Sequence, residues 1–324
     1  MINYKPKYII LIILLFILAC QSHKNGDNNF FIEHPANKNI QGDIIFVSDT
    51  QEPIWAETLI MEENHNGQAR EMIFNEILKR KPDKVIHLGD IVALGFKEQE
   101  WQPIDTFLHK LISEGSEFYP TLGNHELLFF PETGKKNFMR RFPFYSPTGY
   151  LVNDGPIKII LLNSNFSNLS KQEIEKQQQW YHSTLKQLQQ DSTVKAIIVG
   201  CHHAPFTNSK MVSPNKDVEK LFVPAFTEAP KCKLFISGHA HAFERFKYRG
   251  KDFLVIGGGG GLQQTLYTGD EEKYKDLYDS QSKKRMFHFI QCRLGNDSLK
   301  IVLNMIKKDF SGFDRHYKIK IPVN

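Results

Sequence analysis

Short apolar runs punctuate the chain at residues 43–48, 84–88, 158–163, 195–200, 233–237 and 253–257, each dominated by β-branched, leucine or aromatic residues. Runs of this length, bounded by polar or glycine residues, predict strands buried on both faces. Amphipathic patterns lie between them. Trp101, Ile104, Phe107, Leu108, Leu111 and Ile112 share one helical stripe, as do Ile174, Tyr181, Leu185 and Leu188. The second stripe opens at Ser170-Lys171-Gln172-Glu173, a capping-box pattern. Strands alternating with helices predict an α/β architecture. Past Gly261 the pattern changes: residues 263–284 are polar without a clear period, predicting an exposed loop or insertion. Residues 286–293, 298–304 and 316–321 then predict closing strands, the first two joined by a turn at Gly295-Asn296-Asp297.

The start of the chain differs. Lys5 and Lys7 precede an apolar run over residues 8–18, followed by Ala19-Cys20 and the polar Gln21-Ser22-His23-Lys24. The run is about half the roughly 20 residues a spanning helix needs, so it predicts an export signal. Ile17-Leu18-Ala19-Cys20 resembles the bacterial lipobox. That resemblance implies a signal peptide over 1–19, lipidation of Cys20 and a polar tether over 20–41. It implies an exported protein, lipid-anchored in a bacterial cell envelope on the periplasmic or surface side, with residues 42–324 as one working domain.

Composition narrows the field further. The 324 residues carry 41 Lys+Arg against 36 Asp+Glu, a net charge of +5, with no long run of one sign. So mild a charge, with no basic stretch interleaved with aromatics, gives no reason to expect a nucleic-acid partner. A chain this long builds a sizeable core without staples, so any metal is expected to be functional. Cys201, Cys232 and Cys292 remain beyond Cys20, an odd number, and no pair is predicted to join.

Five motifs fall at the carboxyl end of a predicted strand or in the loop after it. They are Ser48-Asp49-Thr50-Gln51, Gly89-Asp90, Gly123-Asn124-His125-Glu126, Cys201-His202-His203-Ala204-Pro205 and Gly238-His239-Ala240-His241. Ligands bind along that edge of α/β sheets, so the motifs should meet in space. Carboxylate, carboxamide and imidazole together suit ions such as Zn, Mn or Fe, and no Cys-Xaa-Xaa-Cys pair suggests a structural zinc. Two ions about 3.5–4 Å apart, bridged by one carboxylate, can polarise a phosphoryl oxygen and acidify a water.

The set resembles the calcineurin-like metallophosphoesterase superfamily over about residues 43–260. His203-Ala-Pro-Phe-Thr-Asn-Ser209 and Gly238-His-Ala-His-Ala-Phe-Glu-Arg245 are similar to its purple acid phosphatase branch. The resemblance implies a four-layer α/β/β/α sandwich of two mixed sheets flanked by helices. It implies two divalent or mixed-valence ions (Mn, Zn or Fe), with Asp90 bridging, Asp49 and His241 on the first, and Asn124, His203 and His239 on the second. His203 is preferred to His202 because it stands two residues before Pro205, and His202 then becomes a hydrogen-bonded neighbour. His125 would donate a proton to the leaving oxygen or clamp the phosphoryl group. Glu126, Glu244 and Arg245 would support the ligands.

Two departures matter. Where most superfamily members have His two residues after the first Asp, this chain has Gln51, a weaker and neutral ligand. Where purple acid phosphatases have Tyr three residues after the bridging Asp, it has Ala93, so no phenolate–iron colour is expected and the chain is a relative of that branch.

Other residues have plainer readings. His87 lies within a strand and is expected to be a core histidine, while His65, His109, His182, His288 and His316 are expected at the surface. Gly257 to Gly261 should let the backbone pass close to the site. Phe206, Tyr145 and Phe129-Phe130 could line a substrate pocket or pack in the core.

The expected function is metal-dependent hydrolysis of phosphate monoesters on a phosphorylated small molecule, by an attacking hydroxide at a dinuclear centre. A phosphodiesterase or nucleotidase on the same site is the alternative. A rival from another class is a non-catalytic surface binding protein with a degenerate metal site.

Overall fold

A computed structural model describes residues 42–279, 281–315 and 317–323; the expected signal peptide, Cys20, the tether and His316 lie outside them. The strands are β1 (Ile44–Val47), β2 (Lys84–His87), β3 (Glu117–Pro120), β4 (Tyr150–Asp154), β5 (Ile157–Leu161), β6 (Ala196–Cys201), β7 (Cys232–Ser237), β8 (Phe243–Tyr248), β9 (Lys251–Ile256), β10 (His288–Leu294), β11 (Ser298–Ile306), β12 (Phe313–Asp314) and β13 (Lys318–Pro322). The helices are α1 (Trp55–Thr58), α2 (Asn66–Arg80), α3 (Gln102–Ser113), α4 (Pro131–Arg141), α5 (Lys171–Gln190), α6 (Lys216–Leu221) and α7 (Val223–Glu228).

Two mixed sheets result. The first runs β12-β11-β10-β1-β2-β3, with β13 also on β11; the second runs β4-β5-β6-β7-β9-β8. In the first, β1, β2 and β3 are parallel and β10 lies antiparallel to β1. In the second, β5, β6, β7 and β9 are parallel between antiparallel edges β4 and β8. The late strands therefore extend the sheet begun by β1.

Helices cover the outer faces. Phe74 of α2 stacks on Phe107 of α3 at 4.2 Å, and Phe107 meets Phe118 of β3 edge-on at 6.5 Å. Tyr181 and Leu185 of α5, with Phe222 and Phe226, pack on Val199, Phe235 and Phe253 of the second sheet. The capping box forms: the Glu173 amide donates to Ser170 Oγ at 3.2 Å, and the Ser170 amide donates to Glu173 Oε2 at 2.8 Å. Between the sheets, buried Lys84 of β2 reaches Glu117 of β3 at 3.3 Å and Asp154 of β4 at 3.1 Å.

Some sequence expectations change. Strands β3, β4 and β8 and helices α2 and α4 were not singled out by periodicity, because charged residues dilute their apolar positions. The stretch 263–284 is irregular but not simply exposed. Gln263, Gln264, Leu266 and Asp276 are buried, and Asp276 pairs with Arg285 at 3.1 Å. His288 is fully buried rather than at the surface, because β10 is a central strand between β1 and β11; His65, His109 and His182 are exposed. Cys201, Cys232 and Cys292 are buried free thiols. Among the described residues, no helix is long and apolar enough to cross a membrane.

Candidate metal centre

The loops following β1, β2, β3, β6 and β7 converge at the carboxyl ends of the parallel strands, and they carry all five motifs. Backbone bonds tie them together. The Asp49 amide donates to the Gly89 carbonyl at 3.0 Å, the Thr50 amide to the Asp90 carbonyl at 2.8 Å, and the Gly238 amide to the His202 carbonyl at 2.9 Å. Asp49, Asp90 and His239 have φ of 59°, 54° and 65°, the left-handed region. Such conformations cost about 1–3 kcal/mol each in residues with a side chain and concentrate where function holds them.

Two clusters of donor atoms result. Asp49, Asp90 and His241 form one and His202, His203 and His239 the other, with the ligand atoms of each cluster within 4.8 Å of one another. Asp90 stands between them. Its Oδ1 accepts the His125 amide at 2.8 Å, while its Oδ2 faces His202 Nε2 at 3.3 Å. Both Asp49 oxygens accept the His239 amide, at 3.1 and 3.0 Å, and Oδ1 lies 3.4 Å from His241 Nε2. The carboxamide of Asn124 completes the second cluster, with Oδ1 3.0 Å from His202 Nε2.

Hydrogen bonds orient the imidazoles. His202 Nδ1 faces the Leu88 carbonyl at 2.9 Å, His241 Nδ1 the Leu262 carbonyl at 2.7 Å, and His125 Nδ1 the Ala93 carbonyl at 2.9 Å. A carbonyl only accepts, so each Nδ1 carries the proton and each Nε2 is aimed into the site, the arrangement metal-ligating histidines use. His203 Nδ1 instead meets the Ser164 hydroxyl at 2.9 Å, which can donate or accept and fixes no tautomer.

Gln51 Nε2 is placed 3.3 Å from His241 Nε2. Turned over, the amide nitrogen donates to the carbonyls of Asp90 and Asp49 at 3.0 and 3.2 Å, and the oxygen then faces the site. This orientation satisfies the amide fully, so Gln51 offers a neutral oxygen beside the first cluster.

The supporting residues divide. Glu126 is buried and accepts four backbone amides, from Gly123 and Asp90 on Oε2 at 2.7 and 2.9 Å and from Ile91 and Val92 on Oε1 at 2.7 and 3.2 Å. It fixes the loop that carries Asp90. Glu244 does the same for the loop after His203, accepting Thr207 Oγ1 at 2.5 Å and the Asn208 amide at 2.8 Å. Arg245 does not join them. Adjacent strand residues face opposite ways, and its guanidinium reaches Asp252 at 2.8 Å and Tyr317 at 3.2 Å instead. The glycine run passes as close as expected: a Cβ on Gly261 would lie 2.4 Å from the His241 ring, and one on Gly259 2.3 Å from the Ser48 carbonyl.

The electrostatics favour positive charge here. Burial opposes ionisation of Asp90, yet the imidazoles of His202 and His125 outweigh it and hold the carboxyl far below its ordinary range. Burial likewise opposes charging His202, but Asp90, then Asp49 and Glu126, push it up to about 9. Two buried carboxylates, one of them between the clusters, with a carboxamide oxygen and oriented imidazoles, fit a pair of divalent ions.

Sequence reasoning missed Glu57. Helix α1 brings its Oε1 to 3.6 Å from His125 Nε2, at the outer side of the site. Four residues of helix leave no periodic signal to find it by.

A family model described as calcineurin-like phosphoesterase matches residues 42–243. A search of curated proteins yields no match. Among solved structures, the chain is similar to GAP50, the anchor in the inner membrane complex of Plasmodium, with TM-score 0.60 and 15% identity over 88% of this chain and 90% of that one. It is similar to a dimetal phosphatase from Danio rerio, with TM-score 0.53 and 14% identity over 87% and 99%. A purple acid phosphatase from yellow lupin (Lupinus luteus) gives TM-score 0.58 and 14% identity over 86% of this chain and 53% of that one. At these identities the likenesses concern the fold.

Proposed function

The chain belongs to the calcineurin-like phosphoesterase family, and we propose that it is an exported, metal-dependent phosphoesterase that hydrolyses phosphate monoesters at a dinuclear centre. One observation carries the reading: Asp90 stands between two donor clusters, with a separate set of oriented side chains on each side. In this assignment Asp49 and His241 hold the first ion, with Gln51 as a weak further ligand. Asn124, His202 and His239 hold the second, and Asp90 serves both.

His202 replaces His203 in that set because its Nε2 lies between Asn124 and Asp90 and its tautomer is fixed by Leu88. His203 then faces the phosphate from the rim. When bound, the two ions would supply Lewis acidity toward a phosphoryl oxygen and lower the pKa of an attacking water. His125, its Nδ1 proton donated to Ala93, presents Nε2 to the leaving oxygen; acting as proton donor there requires a second ring proton on Nε2, which the Glu57 carboxylate 3.6 Å away would stabilise. Purple-phosphatase-like motifs favour a phosphorylated small molecule, and Ala93 implies a colourless iron form.

The envelope location and the lipid anchor at Cys20 belong to the proposal. Gly42 enters at the amino end of β1, whereas the donor clusters lie at the carboxyl ends of the parallel strands.

Hydrolysis of p-nitrophenyl phosphate against bis-p-nitrophenyl phosphate, with Mn, Zn or Fe supplied, tests the reaction class. Much faster cleavage of the diester would turn the reading to a phosphodiesterase or nucleotidase. His125→Ala should keep its metal and lose turnover by about 10²–10⁴-fold. A second reading, a non-catalytic binding protein, draws on the neutral Gln51 and the likeness to a protein described as an anchor; absence of bound metal would favour it.

A further inference from the structure

A buried histidine outside the metal centre, His87, is tied to the loop that carries Asp49. The ladder between β1 and β2 ends at the pair Val47 and His87. Beyond it the loop turns through the left-handed Asp49, and Thr50 reaches back onto the end of β2. Thr50 Oγ1 lies 3.1 Å from the Ile91 carbonyl and 3.0 Å from His87 Nε2. The polarity of both contacts follows from their protons. A carbonyl only accepts, so the single hydroxyl proton of Thr50 goes to Ile91, and the Nε2–H of His87 must then donate to Thr50 Oγ1. Burial pushes His87 down to about 3, so the ring is neutral and its Nδ1 carries no proton. That nitrogen is buried and has no hydrogen-bond partner among the described residues.

These bonds span the two loops that bring the carboxylates together. Asp49 and Gln51 flank Thr50, and Ile91 follows Asp90. The amides of Thr50 and Gln51 both donate to the Asp90 carbonyl, at 2.8 and 3.2 Å, and the Thr50 hydroxyl takes the next carbonyl along. The Asp49 loop is therefore held on the Asp90 loop by a side chain as well as by backbone. An apolar residue at position 87 would fill the strand end without burying a bare nitrogen, so the histidine calls for a role beyond packing. We infer that His87 and Thr50 are positioning residues, a buried strut that sets Asp49 against Asp90. The inference rests on the dinuclear reading above, in which those two carboxylates serve neighbouring ions.

Calorimetric titration with Mn, beside urea unfolding of the metal-free protein, tests this on one set of variants. His87→Leu removes the bare nitrogen and leaves the Thr50 hydroxyl free to turn. Its metal-free unfolding midpoint should match or exceed that of the wild type, while one of the two Mn-binding steps weakens by about tenfold. His87→Leu/Thr50→Val removes both polar partners, and should keep a midpoint near the wild-type one while that step weakens by about 10–100-fold. Thr50→Ser keeps the hydroxyl and should retain the wild-type step. Stability and metal affinity then move independently, which a contact that serves only packing does not produce. Wild-type Mn affinity in both His87→Leu and the double variant overturns the strut, and so does an affinity that falls only where the midpoint falls with it. A wild type that binds no Mn takes down the dinuclear reading itself.

Discussion

The Nε2 atom of His202 lies 3.3 Å from Oδ2 of Asp90, while the opposite ring nitrogen donates to the Leu88 carbonyl at 2.9 Å. Its neighbour His203 has no such fixed tautomer. His202→Ala should therefore weaken one of the two metal-binding steps by about 100-fold or more, and His203→Ala by less than about tenfold. Calorimetric titration with Mn or Zn decides between them. The reverse order would return the ligand role to His203.

Glu126 holds Asp90 through the backbone rather than by contact with an ion. Burial, then the charge of Asp90, pushes its carboxyl up to about 7 against four amide hydrogen bonds that favour the ionised form. Glu126→Ala leaves those amides unpaired, at roughly 1–3 kcal/mol for each that water does not reach. The expected outcome is a lower unfolding midpoint together with about 10–100-fold weaker metal binding. A variant that loses stability but keeps wild-type metal affinity would contradict the positioning role.

Buried Lys84 is shared by Glu117 and Asp154, and the Asp154 carboxylate has no well-directed hydrogen bond besides. Lys84→Met strands two carboxyl groups between the sheets and should cost about 3–5 kcal/mol in urea denaturation. Replacing all three with apolar residues of similar volume should recover most of that loss. Failure of the triple variant to regain stability would mean that packing, not charge, governs this contact.

Buried His288 predicts an acid limb. Burial pushes it down to about 4, opposed by its hydrogen bond to Met286. The folded value lies below the unfolded one of about 6.5, so the unfolded chain binds the proton more readily. Stability is then present above about pH 6.5 and falls as pH drops toward 4, by up to roughly 3 kcal/mol. His288→Leu should flatten the fall of the unfolding midpoint between pH 7 and 4, though not abolish it, because burial also pushes His87 down to about 3. Equal pH slopes in variant and wild type would contradict this.

The motifs were legible because each is a short string fixed to a strand end, and a run such as 43–48 announces its strand through unbroken hydrophobicity. What sequence left open depends on distant partners. His202 and His203 are adjacent and share one donor cluster, and the carbonyl on which the proposed choice of His202 rests belongs to Leu88 on another strand's end. Glu57 sits on a single helical turn, and its approach to His125 follows from how that turn docks. Arg245 and His288 were within reach: strand alternation separates Arg245 from Glu244, and a histidine inside a strand expected to be mostly apolar should have been read as buried.

Elemental analysis of protein purified without chelator, alongside an Asp90→Ala variant, tests the central claim most directly. A carboxylate shared by two ions predicts close to two metal equivalents per chain in the wild type, and at most one in the variant. Less than one equivalent in the wild type, or two retained without Asp90, would contradict the dinuclear centre.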